Sequence, residues 1–367
     1  MQGLIDSTLR EGSQTFGLSF NLAQKKGIFA GLCRVGIEEI EIGLATPMDE
    51  ELPELVEFCR AHDPDRRIAL WCRCRMDDIL FAATIKPNVL SLSIPVSELH
   101  ITKKLDRDPA WALVAVRSAV LEARRLGFKI ISLGLEDATR AERSFLDKMV
   151  KTAIDAGVDR LRLADTVGIA SPIEIIELVK RIKSFGSVEV GVHMHNDFGM
   201  ATANSLAALD AGAEWADVTI LGLGERAGNA RLEELAGYLA LRRKNSYCLE
   251  VIPGLAKTVA AVCGRTISPH KPILGEKIFY CETGLHLQGL EKDPSTYEPF
   301  APESVGARRR LQFGGKIGRN GILGCLRSMN IDTAIFDIAD VTRKARQKAV
   351  TVGRPLDREE MLSIVNS

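Results

Sequence analysis

The sequence predicts an α/β protein, a closed (β/α)8 TIM barrel followed by a smaller C-terminal lid and helical region. Short apolar runs alternate with longer amphipathic segments over residues 1–243, and glycine or proline marks many of their ends. This alternation indicates a parallel sheet, and eight strand–helix units are the number that closes a barrel. An open doubly wound sheet is the alternative, and it is disfavoured because no Gly-x-Gly-x-x-Gly follows the first strand.

The strands are predicted where apolar residues cluster or alternate: Gly3–Thr8, Glu38–Ile42, Ile68–Cys72, Val89–Ile94, Lys129–Leu133, Arg160–Ala164, Val188–His193 and Asp217–Leu221. The helices are predicted between them from apolar residues spaced three to four apart: Leu22–Val35, Glu50–Ala61, Met76–Ile85, Pro109–Leu126, Ala141–Ala156, Pro172–Ser184, Met200–Ala211 and Ala230–Leu241. Gly36, Gly127 and Gly157 follow such segments and are typical of helix C-caps. Pro172 after Ser171 is typical of a helix start.

The pattern changes after about Arg243, where prolines interrupt the chain and the strand–helix rhythm stops. We therefore expect a catalytic barrel over 1–243 and a second unit over 244–367. That unit still carries apolar residues, so a lid or a partner-contacting arm suits it better than a linker. It is predicted to be irregular first and helical from Ala334 and again near Arg358.

The composition excludes several classes of function. The 367 residues carry no net charge, which gives no support for binding nucleic acid or a membrane surface. No apolar run is long enough for a membrane span, and the first strand begins without a leader-like segment. The eight cysteines are scattered without a Cys-x-x-Cys, so we expect free thiols in a reducing, cytoplasmic environment.

Two histidines at the end of the seventh strand suggest a metal site. His193 and His195 are two residues apart in an alternating segment, so both imidazoles lie on one face. Neutral imidazoles bind a divalent cation when a carboxylate completes the set. Glu11, just past the first strand, is the expected carboxylate, and Asn229, after the eighth strand, is placed to reach the same ion or its waters. Three protein ligands would leave positions open for a substrate.

Other polar residues follow the strands where a barrel places its active site. Arg10 would offer a guanidinium to a substrate carboxylate or a developing oxyanion. The remaining candidates at the mouth are Gln14, Glu41, Arg73, Arg75, Ser91, Ser93, Glu136, Asp137, Asp165 and Thr166. Taken singly, each has a plainer explanation, such as a turn cap for Asp165 or a buried ion pair for Glu41. Their convergence on one rim predicts a functional site there.

Four motifs resemble the metal-dependent barrels that include isopropylmalate synthase, homocitrate synthase and hydroxymethylglutaryl-CoA lyase. They are the segments at 6–14, 165–168, 193–197 and 222–230. The resemblance implies that Glu11, His193 and His195 bind the metal with Asn229 close by. It also implies that Arg10 stabilises an oxyanion, and that Thr166 and Gln14 contact a 2-oxo acid.

Within that family, the segments at 93–100, 134–140 and 293–300 resemble the nitrogen-fixation type of homocitrate synthase. The segment 282–286 is similar to the family's lid motif, whose histidine enters the neighbouring subunit's active site as an acid/base group. The resemblance therefore implies that role for His286 and a homodimer with lid exchange. The second unit departs from the family pattern at Cys281, Gln288 and residues 316–318.

The chemistry implied is a Claisen-type condensation of acetyl-CoA with a 2-oxo acid, with 2-oxoglutarate as the expected substrate and homocitrate as the product. A divalent cation (Mg, Mn or Zn) would polarise the ketone. Glu136, acting with His286, is the candidate for proton transfer. Arg75 or His100 would recognise a distal carboxylate, with Glu41 and Ser93 also placed at the substrate.

Several alternatives stay open. A carbon–carbon lyase would share the metal site, but the loop at 224–229 lacks the cysteine that such lyases carry. Citramalate, isopropylmalate and citrate synthases of the same fold differ in the 2-oxo acid. A barrel that binds metal and ligand without turnover is the non-enzymatic alternative.

Overall fold

The computed structural model of the chain describes residues 3–281, 286, 289–290, 292–311 and 314–366. The chain divides into two compact units, with the boundary between Thr266 and Ile267. Gln288 and residues 282–285 of the expected lid motif lie outside the described residues. Among the described residues, no helix combines the length and the apolar character that a bilayer crossing needs.

The first unit is a closed barrel of eight parallel strands in sequential order, which confirms the predicted fold. The strands are β1 (Gly3–Asp6), β2 (Glu39–Leu44), β3 (Arg67–Arg73), β4 (Val89–Pro95), β5 (Ile130–Glu136), β6 (Arg160–Asp165), β7 (Glu189–Met194) and β8 (Trp215–Val218). β1 closes the barrel by pairing with β8, with Leu4 opposite Ala216 and Asp6 opposite Val218. The carboxyl ends of all eight strands therefore meet at one mouth.

A helix follows each strand and covers the barrel. These helices are α1 (Leu22–Val35), α2 (Leu52–His62), α3 (Met76–Ile85), α4 (Pro109–Arg125), α5 (Arg143–Ala156), α6 (Pro172–Lys183), α7 (Ala201–Asp210) and α8 (Leu232–Arg243). α6 starts as the sequence predicts, with a capping box between Ser171 and Glu174 and Pro172 at the first position. α1 ends at Gly36, whose φ of 95° favours glycine.

The first unit continues past Arg243 into a ninth helix, α9 (Ile252–Val262). Pro253 lies in the first turn of α9, where its missing N–H removes no intrahelical bond. α9 packs against α1, and a Cβ added at Gly31 would lie 2.6 Å from a methyl group of Leu255. The ninth helix therefore belongs to the barrel.

The second unit contains a short parallel pair, β9 (Tyr280–Cys281) with β10 (Arg310–Leu311), and three helices are fully described in its C-terminal part. The helices are α10 (Arg319–Ser328), α11 (Ile338–Val352) and α12 (Arg358–Val365). They bury a separate core that includes Ile322, Leu326, Val341 and Met361. The helices near Ala334 and Arg358 were expected, whereas α10 was not.

Charged residues fill part of the barrel interior. The Arg160 guanidinium donates to both carboxylate oxygens of Glu39 at 2.8 and 2.9 Å and lies 4.3 Å from the Trp215 ring centroid. One layer nearer the mouth, Arg162 donates to Glu41 at 2.9 Å. All four charged side chains are buried, so each guanidinium compensates a carboxylate that would otherwise be costly to remove from water.

Candidate metal centre at the barrel mouth

Glu11, His193 and His195 converge at the mouth, as the sequence predicts. Each offers one ligand atom, and these atoms all lie within 4.8 Å of one another. The Glu11 carboxylate is 3.8 Å from His193 Nε2 and 4.0 Å from His195 Nε2. All three side chains are buried. Two nitrogen donors and one carboxylate at these separations fit a divalent cation that keeps open positions.

Asp217 fixes the orientation of the first histidine. Its carboxylate lies 2.7 Å from His193 Nδ1, so that nitrogen donates and Nε2 is left with its lone pair facing Glu11. Arg162 lies 3.2 Å from the same carboxylate and also pairs with Glu41. A carboxylate–histidine arrangement of this kind sets the tautomer of a metal ligand.

The second histidine is held in its neutral form. Burial, followed by the neighbouring His193, lowers the pKa of His195 to about 3. The two imidazole rings lie edge to face, with centroids 5.1 Å apart. A neutral imidazole needs no deprotonation before it binds a cation at neutral pH.

A tight turn after β1 places the carboxylate ligand. The carbonyl of Ser7 accepts hydrogen bonds from the backbone N–H groups of Arg10, Glu11 and Gly12. The Arg10 guanidinium pairs with Glu11 and, at 2.7 Å, with Glu41. Burial alone would raise the pKa of Glu11, but Arg10 and the two histidines outweigh it, so the pKa is lowered. Glu11 is therefore ready as an anionic ligand.

The loop after β8 brings Asn229 to the same place. Asn229 Nδ2 lies 3.3 Å from His193 Nε2 and 3.3 Å from the Met194 carbonyl. Its Oδ1 is buried without a hydrogen-bond partner among the described residues. Gly228 has a φ of 87°, and a Cβ added there would lie 1.9 Å from the Gly222 carbonyl oxygen. Only glycine fits this backbone approach, which fixes the position of the next residue, Asn229.

The triad opens into a cavity of about 390 Å³. On another side of this cavity, a π-helical turn (His100–Lys104) follows β4. His100 Nδ1 and Lys104 Nζ lie 2.9 and 2.6 Å from one oxygen of Glu136, at the end of β5. The cavity thus joins a metal-binding side to a side where an imidazole and an ammonium share one carboxylate.

Six of the remaining predicted residues line this cavity: Arg10, Gln14, Ser93, His100, Glu136 and Thr166; Arg73, Ser91, Asp137 and Asp165 are not among its lining residues. Glu41 does not, because it is fully buried between Arg10 and Arg162. Arg75 precedes α3 with a half-exposed side chain near Asp77, and it is also outside the cavity lining. His286 is exposed in the second unit, with its ring centroid 4.1 Å from that of Tyr297.

Several residues of the site were not identified from the sequence. Trp71, Lys104, Arg162 and Arg226 also line the cavity, and Asp217 supports His193. A signal existed for one of them, Arg162. Glu39 and Glu41 alternate in β2, and Arg160 and Arg162 alternate with the same spacing in β6. Matching alternation of opposite charges in two buried strands predicts pairing across a barrel interior.

Two family models match the chain. A model described as HMGL-like matches residues 2–259, and a model described as a homocitrate synthase post-HMGL domain matches residues 273–352. The two matches coincide closely with the two structural units.

The chain is similar over most of its length to characterised types of synthase. It is 40% identical to a homocitrate synthase of Frankia alni, over 86% of this chain and 90% of that protein. It is 34% identical to 2-isopropylmalate synthase 2 of Caldanaerobacter subterraneus, over 98% and 94%. Its fold matches that of a hydroxymethylglutaryl-CoA lyase from Pseudomonas aeruginosa with a TM-score of 0.64, at 18% identity, over 72% of this chain and 94% of that one.

Proposed function

Since the chain belongs to the HMGL-like family, we propose that it condenses acetyl-CoA with a 2-oxo acid, with 2-oxoglutarate as substrate and homocitrate as product. The enzyme is an acyltransferase that converts the acyl group into an alkyl group on transfer. One observation carries the proposal: a buried Glu11–His193–His195 triad opens into a cavity that also holds cationic side chains for an anionic substrate.

Glu11, His193 and His195 would hold a divalent cation, with the buried Asn229 oxygen beside them. Such a cation would polarise a bound ketone and orient its carboxylate. Mg, Mn and Zn all accept this donor set. Thr166 and Gln14 line the same cavity and would contact the 2-oxo acid.

Arg10 is the group placed to stabilise developing negative charge. It is buried beside Glu11, and its pairing with Glu41 fixes its side chain before substrate arrives. A pre-positioned guanidinium lowers the energy of an alkoxide or enolate without reorganising during the reaction. Glu136 is the candidate base for the acetyl-CoA methyl group, since its carboxylate lines the cavity and contacts His100.

We further propose a homodimer in which the second unit of one copy covers the mouth of the other, bringing His286 to the site. Several loops at the mouth expose large apolar side chains, namely Phe16, Met48, Ile169 and Phe198. Exposed apolar surface grouped around an active site is typical of a surface that a lid covers.

The test is product identification by mass. The purified full chain is incubated with acetyl-CoA, Mg²⁺ or Mn²⁺, and 2-oxoglutarate, 2-oxoisovalerate, pyruvate or oxaloacetate in turn. We expect homocitrate from 2-oxoglutarate, loss of activity with a chelator, and recovery with added metal. Glu11→Gln should abolish turnover, whereas Glu54→Gln, an exposed substitution of the same kind, should not.

The panel also decides between the related activities. Isopropylmalate, citramalate or citrate as the dominant product would replace homocitrate and leave the condensation intact. Absence of a condensation product with every 2-oxo acid would overturn the proposed function. A ligand-dependent melting shift without product would then favour a binding protein.

A further inference from the structure

We infer that Lys104 selects the substrate: its ammonium binds the distal carboxylate of a 2-oxo dicarboxylate and in doing so leaves Glu136. This inference rests on the proposed function and deepens it, because it names the residue that separates dicarboxylates from monocarboxylates at the same site.

The cations that line the cavity differ in how firmly they are held. Arg10 and Arg162 are buried, and each contacts two acidic side chains. Arg226 donates to Asp197 at 2.9 Å and to the Thr166 carbonyl at 2.6 Å. These guanidiniums belong to the framework of the site, so rearranging them would break several bonds at once.

Lys104 differs from those arginines in exposure and flexibility. Its side chain is 55% exposed, and its ammonium contacts Glu136. An ion pair that is this exposed contributes little to stability, so exchanging one carboxylate for another costs little. The flexible four-carbon stem of lysine allows the ammonium to move between the two positions.

The π-helical turn explains why Lys104 reaches this place. His100 and Lys104 stand at the two ends of the turn and contact the same oxygen of Glu136. Isolated π-helical turns are rare and occur frequently at functional sites. Glu136 therefore contacts both the His100 imidazole and the Lys104 ammonium. It keeps the contact with His100 when Lys104 moves away.

Movement of the Lys104 ammonium from Glu136 to the substrate would link recognition of the distal carboxylate to proton transfer by Glu136. The ammonium and the imidazole both contact the same oxygen of Glu136, so that oxygen is closed to a substrate proton while Lys104 stays in place. A dicarboxylate takes the ammonium and frees Glu136 for proton transfer. A monocarboxylate offers no such group, so Lys104 stays on Glu136.

The experiment measures binding to the full chain with Mg²⁺ and without acetyl-CoA, by isothermal titration calorimetry. The two ligands are 2-oxoglutarate and 2-oxovalerate, which has a methyl group in place of the distal carboxylate. Lys104→Met should raise the Kd for 2-oxoglutarate by about five-fold and change that for 2-oxovalerate by about two-fold or less. Lys104→Arg should retain most of the discrimination.

Lys103→Met is the matched control, since it removes the same charge from an exposed neighbour that is not part of the cavity lining. It should change neither Kd. Equal weakening of both ligands by Lys104→Met, or no weakening of either, would overturn the inference. Wild-type protein that binds neither ligand and forms no product would overturn the proposed function, and this result is seen before any variant is made.

Discussion

At the scale of single residues, the side chains that hold the metal ligands in position are as important for metal binding as the ligands themselves. Asp217 holds His193 through Nδ1 and is itself held by Arg162, which also pairs with Glu41. Arg10 completes the chain of contacts from Glu41 back to Glu11. A ligand from β7 and a ligand from the β1 loop are thus positioned by one buried network.

We predict that Asp217→Asn weakens metal binding by roughly 10- to 100-fold. The amide is neutral, so it orients the imidazole and supports its basicity less well than the carboxylate does. Titration of the metal-free protein with Mn²⁺ measures the change. Asp155→Asn, on an exposed part of α5, is the control and should leave the affinity unchanged. Equal affinities for both variants would show that Asp217 does not support the ligand.

A second prediction concerns pH. Burial lowers the pKa of His195 to about 3, below its ordinary value of 6.5. Between these values the unfolded chain binds a proton at this residue and the folded chain does not. Stability of the metal-free protein should therefore fall as the pH drops through this window, by on the order of 3 kcal/mol at pH 4 from this residue.

His195→Asn removes that contribution, so its free energy of unfolding should fall less steeply with decreasing pH than that of the wild type. Urea denaturation between pH 7 and pH 4, in the presence of a chelator, gives both curves. Parallel curves for the two proteins would contradict the prediction.

At the scale of elements, the loops after β1 and β8 form the metal side of the mouth. Both are tight, and their backbones rather than long side chains set the geometry. The Asn196 N–H donates to the Gly228 carbonyl at 2.8 Å, and His195 forms an isolated bridge with Asn229. The β8 loop is therefore attached to the end of β7, where the histidines lie.

We predict that Gly228→Ala displaces Asn229 and lowers metal affinity, because its Cβ would overlap the Gly222 carbonyl oxygen. Gly212→Ala is the matched control. Gly212 also has a positive φ, of 106°, but open space surrounds the position of its Cβ. That variant should lose about 1 kcal/mol of stability and keep its metal affinity. Thermal unfolding and Mn²⁺ titration of both variants separate backbone strain from damage to the site.

The elements also show where sequence reasoning succeeds. Strong periodicity and caps predicted the eight strands and their helices, and the alternation His193–Met194–His195 predicted the shared face. In the sequence, Pro253 indicates the end of the strand–helix pattern, because sequence alone does not reveal whether a proline lies in the first turn of a helix. Arg75 is predicted to contact substrate because it follows β3, but the direction of a loop side chain depends on packing that periodicity does not encode.

At the scale of the whole molecule, the proposed dimer predicts complementation between two inactive variants. Glu11→Gln removes a metal ligand from the barrel, and His286→Ala removes the histidine of the second unit. If that unit acts across the dimer, a mixed dimer has one site with both residues intact. The isolated mixed dimer should then show about half of wild-type activity.

Co-expression with two different affinity tags gives the mixed dimers, and turnover of 2-oxoglutarate measures their activity. Each variant purified alone should stay inactive. Mixed dimers without activity would show that His286 acts within its own chain, whereas an active His286→Ala protein would show that His286 is not needed. The barrel and its metal site are predictable from one sequence because strand ends converge by geometry, whereas the lid arrangement depends on contacts between copies.

The two sides of the mouth differ in how many contacts a substitution would disturb. The triad is tied through Asp217, Arg162, Glu41 and Arg10 to four strands or their loops, so altering one member disturbs the others. His100, Lys104 and Glu136 lie on two adjacent segments, and His100 also contacts Asp137 and Arg140 of the segment that follows β5. Substitutions confined to His100 and Lys104, in natural divergence or in a laboratory library, would therefore diversify the acids accepted while the metal triad and the candidate base Glu136 stay intact.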